Sequence, residues 1–169
     1  PRRRVLMQEK APLHFLAALL AALADDHVPV IPPNFQAQTL ALYSDLPMPH
    51  DVPLQTLELY TSGSSSEPKC VRKAVRQLDA ECRVLEHCWG TLAAGTTVQA
   101  TTPHHHLYGL LFRLLWPVAA GRPFDNATIT EPTALVDGLR AAPVALLVSS
   151  PAQLSRLHQL LDLASLPQR

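Results

Sequence analysis

The chain has 169 residues, 47% of them hydrophobic and 17% charged, with 14 Lys and Arg balancing 14 Asp and Glu. That is long enough for one domain with a real core, and too apolar for a disordered segment. A formal charge of zero leaves no global field to draw the chain to nucleic acid or to an acidic membrane, so neither is expected as a partner.

Taken in chain order, Arg2, Arg3 and Arg4 form a local basic patch that reads as a solvated face. Leu13, Leu16, Leu19, Leu20 and Leu23 recur at helical spacing and predict a helix over residues 12–23, with proline in its first turn. The longest apolar stretch, residues 15–24, is too short to span a bilayer and lacks the pattern of a cleavable signal. A soluble, cytoplasmic protein is the expectation. Residues 28–31 predict a strand stopped by Pro32 and Pro33, residues 36–43 a short helix, and residues 44–53, with three prolines, a linker. Residues 54–60 alternate as a strand that leads into a serine-rich loop. Beyond the loop, residues 69–72 predict a short strand and residues 75–89 a long helix ended by Gly90 or Gly95. Residues 97–101 alternate as a strand, and residues 108–116 form an apolar helix interrupted near Pro117. Two further helices, over residues 132–140 and 151–163, flank a strand over residues 144–148. Helices alternating with short apolar strands predict an α/β fold, a parallel or mixed sheet covered by helices on both faces.

Cys70, Cys82 and Cys88 make an odd count without a zinc-type pair, which fits a reducing compartment. Cys82 and Cys88, six residues apart on the predicted helix, do not share a face. Asn126-Ala127-Thr128 matches a glycosylation acceptor, but with no secretory signal the match is read as chance.

The most informative stretch is Tyr60-Thr61-Ser62-Gly63-Ser64-Ser65-Ser66-Glu67-Pro68-Lys69, with five aliphatic hydroxyls, a glycine and a lysine. Backbone N–H groups gathered in a turn make an anion nest, hydroxyls add donors, glycine permits close approach and lysine supplies a point charge. A flexible serine-rich linker has a similar composition, but such a linker is usually flanked by polar sequence. This loop lies between a strand-like run and a predicted helix, where α/β folds place ligand loops. The nucleotide-binding pattern G-x-x-x-x-G-K-S/T fails on it, because Pro68 replaces the second glycine and Cys70 the magnesium-binding hydroxyl.

What the stretch resembles is the signature loop of the adenylate-forming (AMP-binding) enzymes, a superfamily that includes acyl- and aryl-CoA synthetases. That loop runs aromatic residue, Thr or Ser, Ser, Gly, two hydroxyl residues, Gly, any residue, Pro, Lys. Eight of its nine constrained places agree; Ser66 stands at the second glycine, and Cys70 where a glycine commonly follows the lysine. Downstream, Pro103-His104-His105-His106-Leu107-Tyr108-Gly109-Leu110 resembles the family segment P-x-x-H-x-Y-G-L, and Ala120-Gly121 the family's later A-G. The strand ending at Ser150-Pro151 is similar to the family's core strand and proline turn. Residues 17–34 and 77–81 also look like the aryl-polyene and xanthomonadin-type pigment ligases.

The resemblance implies attack of a carboxylate on the α-phosphate of ATP, giving an acyl-adenylate and pyrophosphate, then transfer to a thiol of coenzyme A or an acyl carrier protein. Thr61, Ser62, Gly63, Ser64, Ser65, Ser66 and Lys69 would hold the phosphates, and His106 would line the acid pocket beside the reacting carboxylate. Mg2+ is implied as well, with ligands mostly outside this chain. His104 and His105 receive no role, and strand alternation would turn His105 away from its neighbours, against a zinc site. Tyr108 and Gly109 are expected to shape the turn into the next helix, and Phe112 and Trp116 to be core. No later family element, such as the C-terminal catalytic lysine, occurs by Arg169, so residues 1–169 read as a partial N-terminal domain, inactive alone. The competing reading is a non-catalytic, partner-binding module built on the same sheet, suggested by Ser66 and Cys70 at normally glycine places.

Overall fold

In the computed structural model, which describes residues 1–61, 68–91, 94–141 and 145–157, Pro12 opens α1 (Pro12–Ala24), where its missing N–H would be unpaired in any case. The helix buries Phe15, Leu16, Leu19 and Leu23, while Leu13 and Leu20 of the predicted stripe remain half exposed. It connects β1 (Arg4–Leu6) to β2 (Val28–Ile31), and these two strands are parallel. A helix α2 (Ala37–Tyr43) and the proline-rich segment lead to β3 (Thr56–Thr61), parallel to β2. The next strand, β4 (Lys69–Ala74), pairs antiparallel with β3. The resulting mixed sheet has the order β1-β2-β3-β4, and Val28, Val30, Ile31, Leu57 and Leu59 form its apolar core.

Strand β1 lies outside the sequence prediction, and of the basic patch only Arg3 is exposed, whereas Arg2 and Arg4 are engaged within the fold. Arg4 pairs at 2.8 Å with Glu58, a carboxylate on β3 that is 0% exposed, and also donates to the Pro47 carbonyl at 2.5 Å. Arg72 on β4 approaches the same carboxylate at 3.1 Å from the other side. Arg2 donates to the carbonyls of Asp26, Val52 and Pro53. The two arginines thus fasten the proline-rich segment to the sheet edge, and a buried carboxylate is kept tolerable by two guanidiniums.

The described chain divides into two units, one of Pro1–Arg83 with His105–Leu107, the other of Val84–His104 with Tyr108–Arg169. Helix α3 (Val75–Trp89) follows β4 directly; Lys73 pairs with Glu81 at 2.9 Å across that junction. Cys82 is buried and Cys88 exposed, as their spacing predicts. In the second unit β5 (Thr97–Ala100) and β6 (Ala145–Val148) form a parallel two-stranded sheet. Val98, Ala100 and Val148 pack there with Phe112, Phe124 and Leu146. Helix α4 (Leu107–Gly109) passes into a π-helical segment, Leu110–Leu115, and then α5 (Trp116–Ala119). Pro117 does not break this run. It lacks an N–H, and the wide turn ahead of it removes the need for the α-type bond that proline cannot make. Helix α6 (Pro132–Ala141) precedes β6, and α7 (Pro151–Leu157) follows it; the rest of the predicted last helix lies outside the described residues. Among the described residues no helix is long and apolar enough to cross a membrane.

Candidate functional site

The serine-rich loop joins β3 to β4, the strand expected over residues 69–72, which runs antiparallel to β3 and extends to Ala74 before α3 begins. Ser62, Gly63, Ser64, Ser65 and Ser66 lie outside the described residues. Their flanks are well placed. Thr61 and Lys69 are the last register pair of β3 and β4, and the Thr61 hydroxyl donates to the Lys69 carbonyl at 3.5 Å. Both residues are exposed. The ladder therefore brings the first hydroxyl and the lysine of the motif to one end of the sheet, opposite each other, at the carboxyl end of β3.

One step below, Tyr60 and Cys70 are also partners in register. Burial, then the hydrogen bond that its hydroxyl donates to the Cys70 thiol, pushes the Tyr60 pKa up, and the Tyr43 ring packs on it with centroids 4.6 Å apart. Burial also pushes up the Cys70 thiol, which remains protonated at neutral pH despite the exposure of this residue. Cys70 therefore belongs to the strand ladder beneath the loop. The glycine-to-cysteine departure falls where the chain is extended and a side chain has room.

The three histidines occupy a turn, not a strand, and the alternation argument fails with it. His104 is 2% exposed, whereas the His105 and His106 rings face each other with centroids 4.4 Å apart. Phe35, from the turn between β2 and α2, meets the other side of His105 edge-on at 4.5 Å. The His106 ring is exposed at its surface, yet the protein packed around it lowers its pKa, so it is neutral at pH 7. No group of three or more metal-ligating side chains occurs among the described residues.

The mount of this turn is legible in two further contacts. A Cβ on Gly109 would lie 2.0 Å from the Pro103 carbonyl oxygen, so the Tyr-Gly pair of the motif allows a helix to press on the turn before it. Arg113, 0% exposed, donates to the Thr102 carbonyl at 3.1 Å and to the Thr128 hydroxyl at 2.5 Å. Burial lowers its pKa to about 10. Sequence reasoning missed Arg113, because an arginine inside an apolar run looks like a helix's solvent face. Phe112 is partly buried and Trp116 2% exposed, both core as expected.

No protein-family model matches the chain. The medium-chain-fatty-acid–[acyl-carrier-protein] ligase JamA of Moorena producens (strain JHB) is 36% identical over 64 residues, which is 38% of this chain and 11% of that protein. Two solved structures of o-succinylbenzoate CoA synthetase (MenE) from Bacillus subtilis share the architecture at 13% identity. The complex with the acyl-adenylate intermediate OSB-AMP superposes with a TM-score of 0.56 over 95% of this chain, and the complex with AMP with 0.59 over 99%. The chain spans 52% of the length of each. It shares with these two structures a mixed α/β fold, rich in parallel strands.

Proposed function

We propose that this chain is the N-terminal part of an ATP-dependent ligase that activates a carboxylic acid as its adenylate and passes the acyl group to a thiol of coenzyme A or an acyl carrier protein. The observation that carries the reading is the position of the signature loop. In a fold shared with a CoA synthetase, it begins and ends on the facing pair Thr61 and Lys69. ATP supplies the electrophilic α-phosphorus: a carboxylate oxygen bonds to it as the bond to pyrophosphate breaks. The chain's own part is electrostatic. Thr61, Ser62, Ser64, Ser65 and Ser66 would donate hydroxyls, Gly63 would admit the phosphates to the backbone amides, and Lys69 would balance their charge.

His106 would line the acid pocket. Held neutral, its imidazole can donate one hydrogen bond to a carboxylate without the tight charge pairing that would blunt the nucleophile. The narrower likeness to pigment ligases favours an aromatic acid, and the relation to JamA keeps fatty acids in the test. Mg2+ would accompany ATP. The experiment is magnesium-dependent exchange of labelled pyrophosphate into ATP by the full-length protein, with panels of aromatic and fatty acids. Acid-dependent exchange, lost when Ser62, Ser64 and Ser65 become alanine, supports the reading; no exchange with any acid in either panel refutes it.

A further inference from the structure

An exposed imidazole on a turn samples several rotamers, and a pocket residue that must be ordered at each turnover loses binding free energy to that ordering. The rings beside His106 remove this freedom. Asn34 accepts a hydrogen bond from the Gln36 amide at 3.0 Å, an Asx-type turn that fixes the backbone on both sides of Phe35. Phe35 then presents its ring to His105 at 4.5 Å with planes 61° apart, the edge-to-face geometry that aromatic quadrupoles favour. His105 in turn lies against His106 at 4.4 Å with planes 50° apart. Phe35 and His105 are both half-buried, so the series runs from fixed backbone to exposed ring.

We propose that His105, backed by Phe35, is a positioning residue that sets the orientation of the His106 imidazole toward the carboxylic acid. The inference rests on the ligase reading above for the acid, but the ring series is a property of this chain and can be tested without it. His105 need not touch substrate, titrate or bind metal; its contribution is a flat face at the right distance. Phenylalanine can replace it in that role, and alanine cannot.

The test has two arms. In the first, the ring protons of His106 are followed by NMR in the histidine-labelled 169-residue chain, with exposed His50 as the internal reference and amide dispersion as the check on folding. His106 should be displaced by ring currents in the unsubstituted chain, return toward His50 in His105→Ala, shift partway in Phe35→Ala, and keep its displacement in His105→Phe. Unchanged His106 signals in a folded His105→Ala chain overturn the proposal. In the second arm, the full-length enzyme carrying His105→Ala should show KM for the acid raised roughly two- to tenfold, the size of one aromatic contact, with KM for ATP unchanged. His105→Phe should restore it. An unaltered acid KM, or an equal rise for ATP, overturns the positioning role. Absence of exchange activity in the unsubstituted enzyme overturns the ligase reading and this role with it, and the first arm would still report whether the rings are stacked.

Discussion

Gly109→Ala sets two physical effects against each other with opposite signs. Helix propensity alone makes the substitution favourable by about 1 kcal/mol, since Gly109 is the last residue of α4 and the helical run continues beyond it. Packing forbids it. The new Cβ would sit 2.0 Å from the Pro103 carbonyl oxygen, 2.8 Å from its carbon and 3.3 Å from the His104 Cα, all of them backbone atoms without a rotamer to move. Ordinary carbon contacts lie near 3.5–4.0 Å, so the turn must retreat by more than about 1 Å, and overpacking of this kind costs about 1–3 kcal/mol. We expect a net loss of about 1–2 kcal/mol in urea unfolding of the 169-residue chain. Gly138→Ala is the control. It lies within α6, and its Cβ would meet only the flexible Gln99 side chain, at 3.4 Å, so it should be neutral or gain up to about 1 kcal/mol. A Gly109→Ala chain as stable as the unsubstituted one, or more stable, would refute the close-approach argument and with it our account of why the motif carries glycine here.

Three further outcomes follow from the ion pairs and the thiols. Glu58→Ala leaves the Arg4 guanidinium, 12% exposed, without its carboxylate and should cost about 3–5 kcal/mol by urea unfolding, whereas Arg72→Ala, at a position 40% exposed, should cost under about 1 kcal/mol. The Arg122 guanidinium, with help from the Trp116 indole, holds the Glu86 carboxyl at about 2 against an ordinary 4.5. Because the folded pKa is the lower one, the contribution is complete above pH 4.5 and fades as pH falls toward 2; Glu86→Gln should flatten the stability profile in that window and nowhere above it. Of the three thiols, exposed Cys70 and Cys88 should react with a disulfide reagent in the folded chain, Cys70 more slowly because its pKa is raised, and Cys82 only after unfolding.

The elements most legible in the sequence are those whose signal is local. Helix α3 has the bounds expected and ends at Trp89, before Gly90, the first of the two glycines expected to mark its end, and β2 is set by its apolar run and the prolines after it. Strand β1 was invisible because an arginine in a strand makes sense only beside Glu58, 54 residues away. The same is true of Arg113, whose partners are carbonyls and a hydroxyl that a loop brings back from Asp125 and Thr128. The signature loop and the strand after it are legible in composition and order, but nothing in Lys69 to Ala74 announces that this charged segment pairs antiparallel with β3. His105 was set aside on an alternation that a turn does not obey, and the ring beside it comes from Phe35, which no pattern singled out.

The proposed activity depends on a grip by the loop on the polyphosphate chain of a nucleotide. The direct measurement is a titration of ATP, and separately of pyrophosphate, into the 15N-labelled chain while the amide resonances are followed. We predict saturable shifts of the amides from Thr61 to Lys69 with both ligands, abolished in the Ser62→Ala, Ser64→Ala, Ser65→Ala triple variant. Amides of that segment that stay still at millimolar ligand, or shifts confined to other parts of the chain, would contradict it.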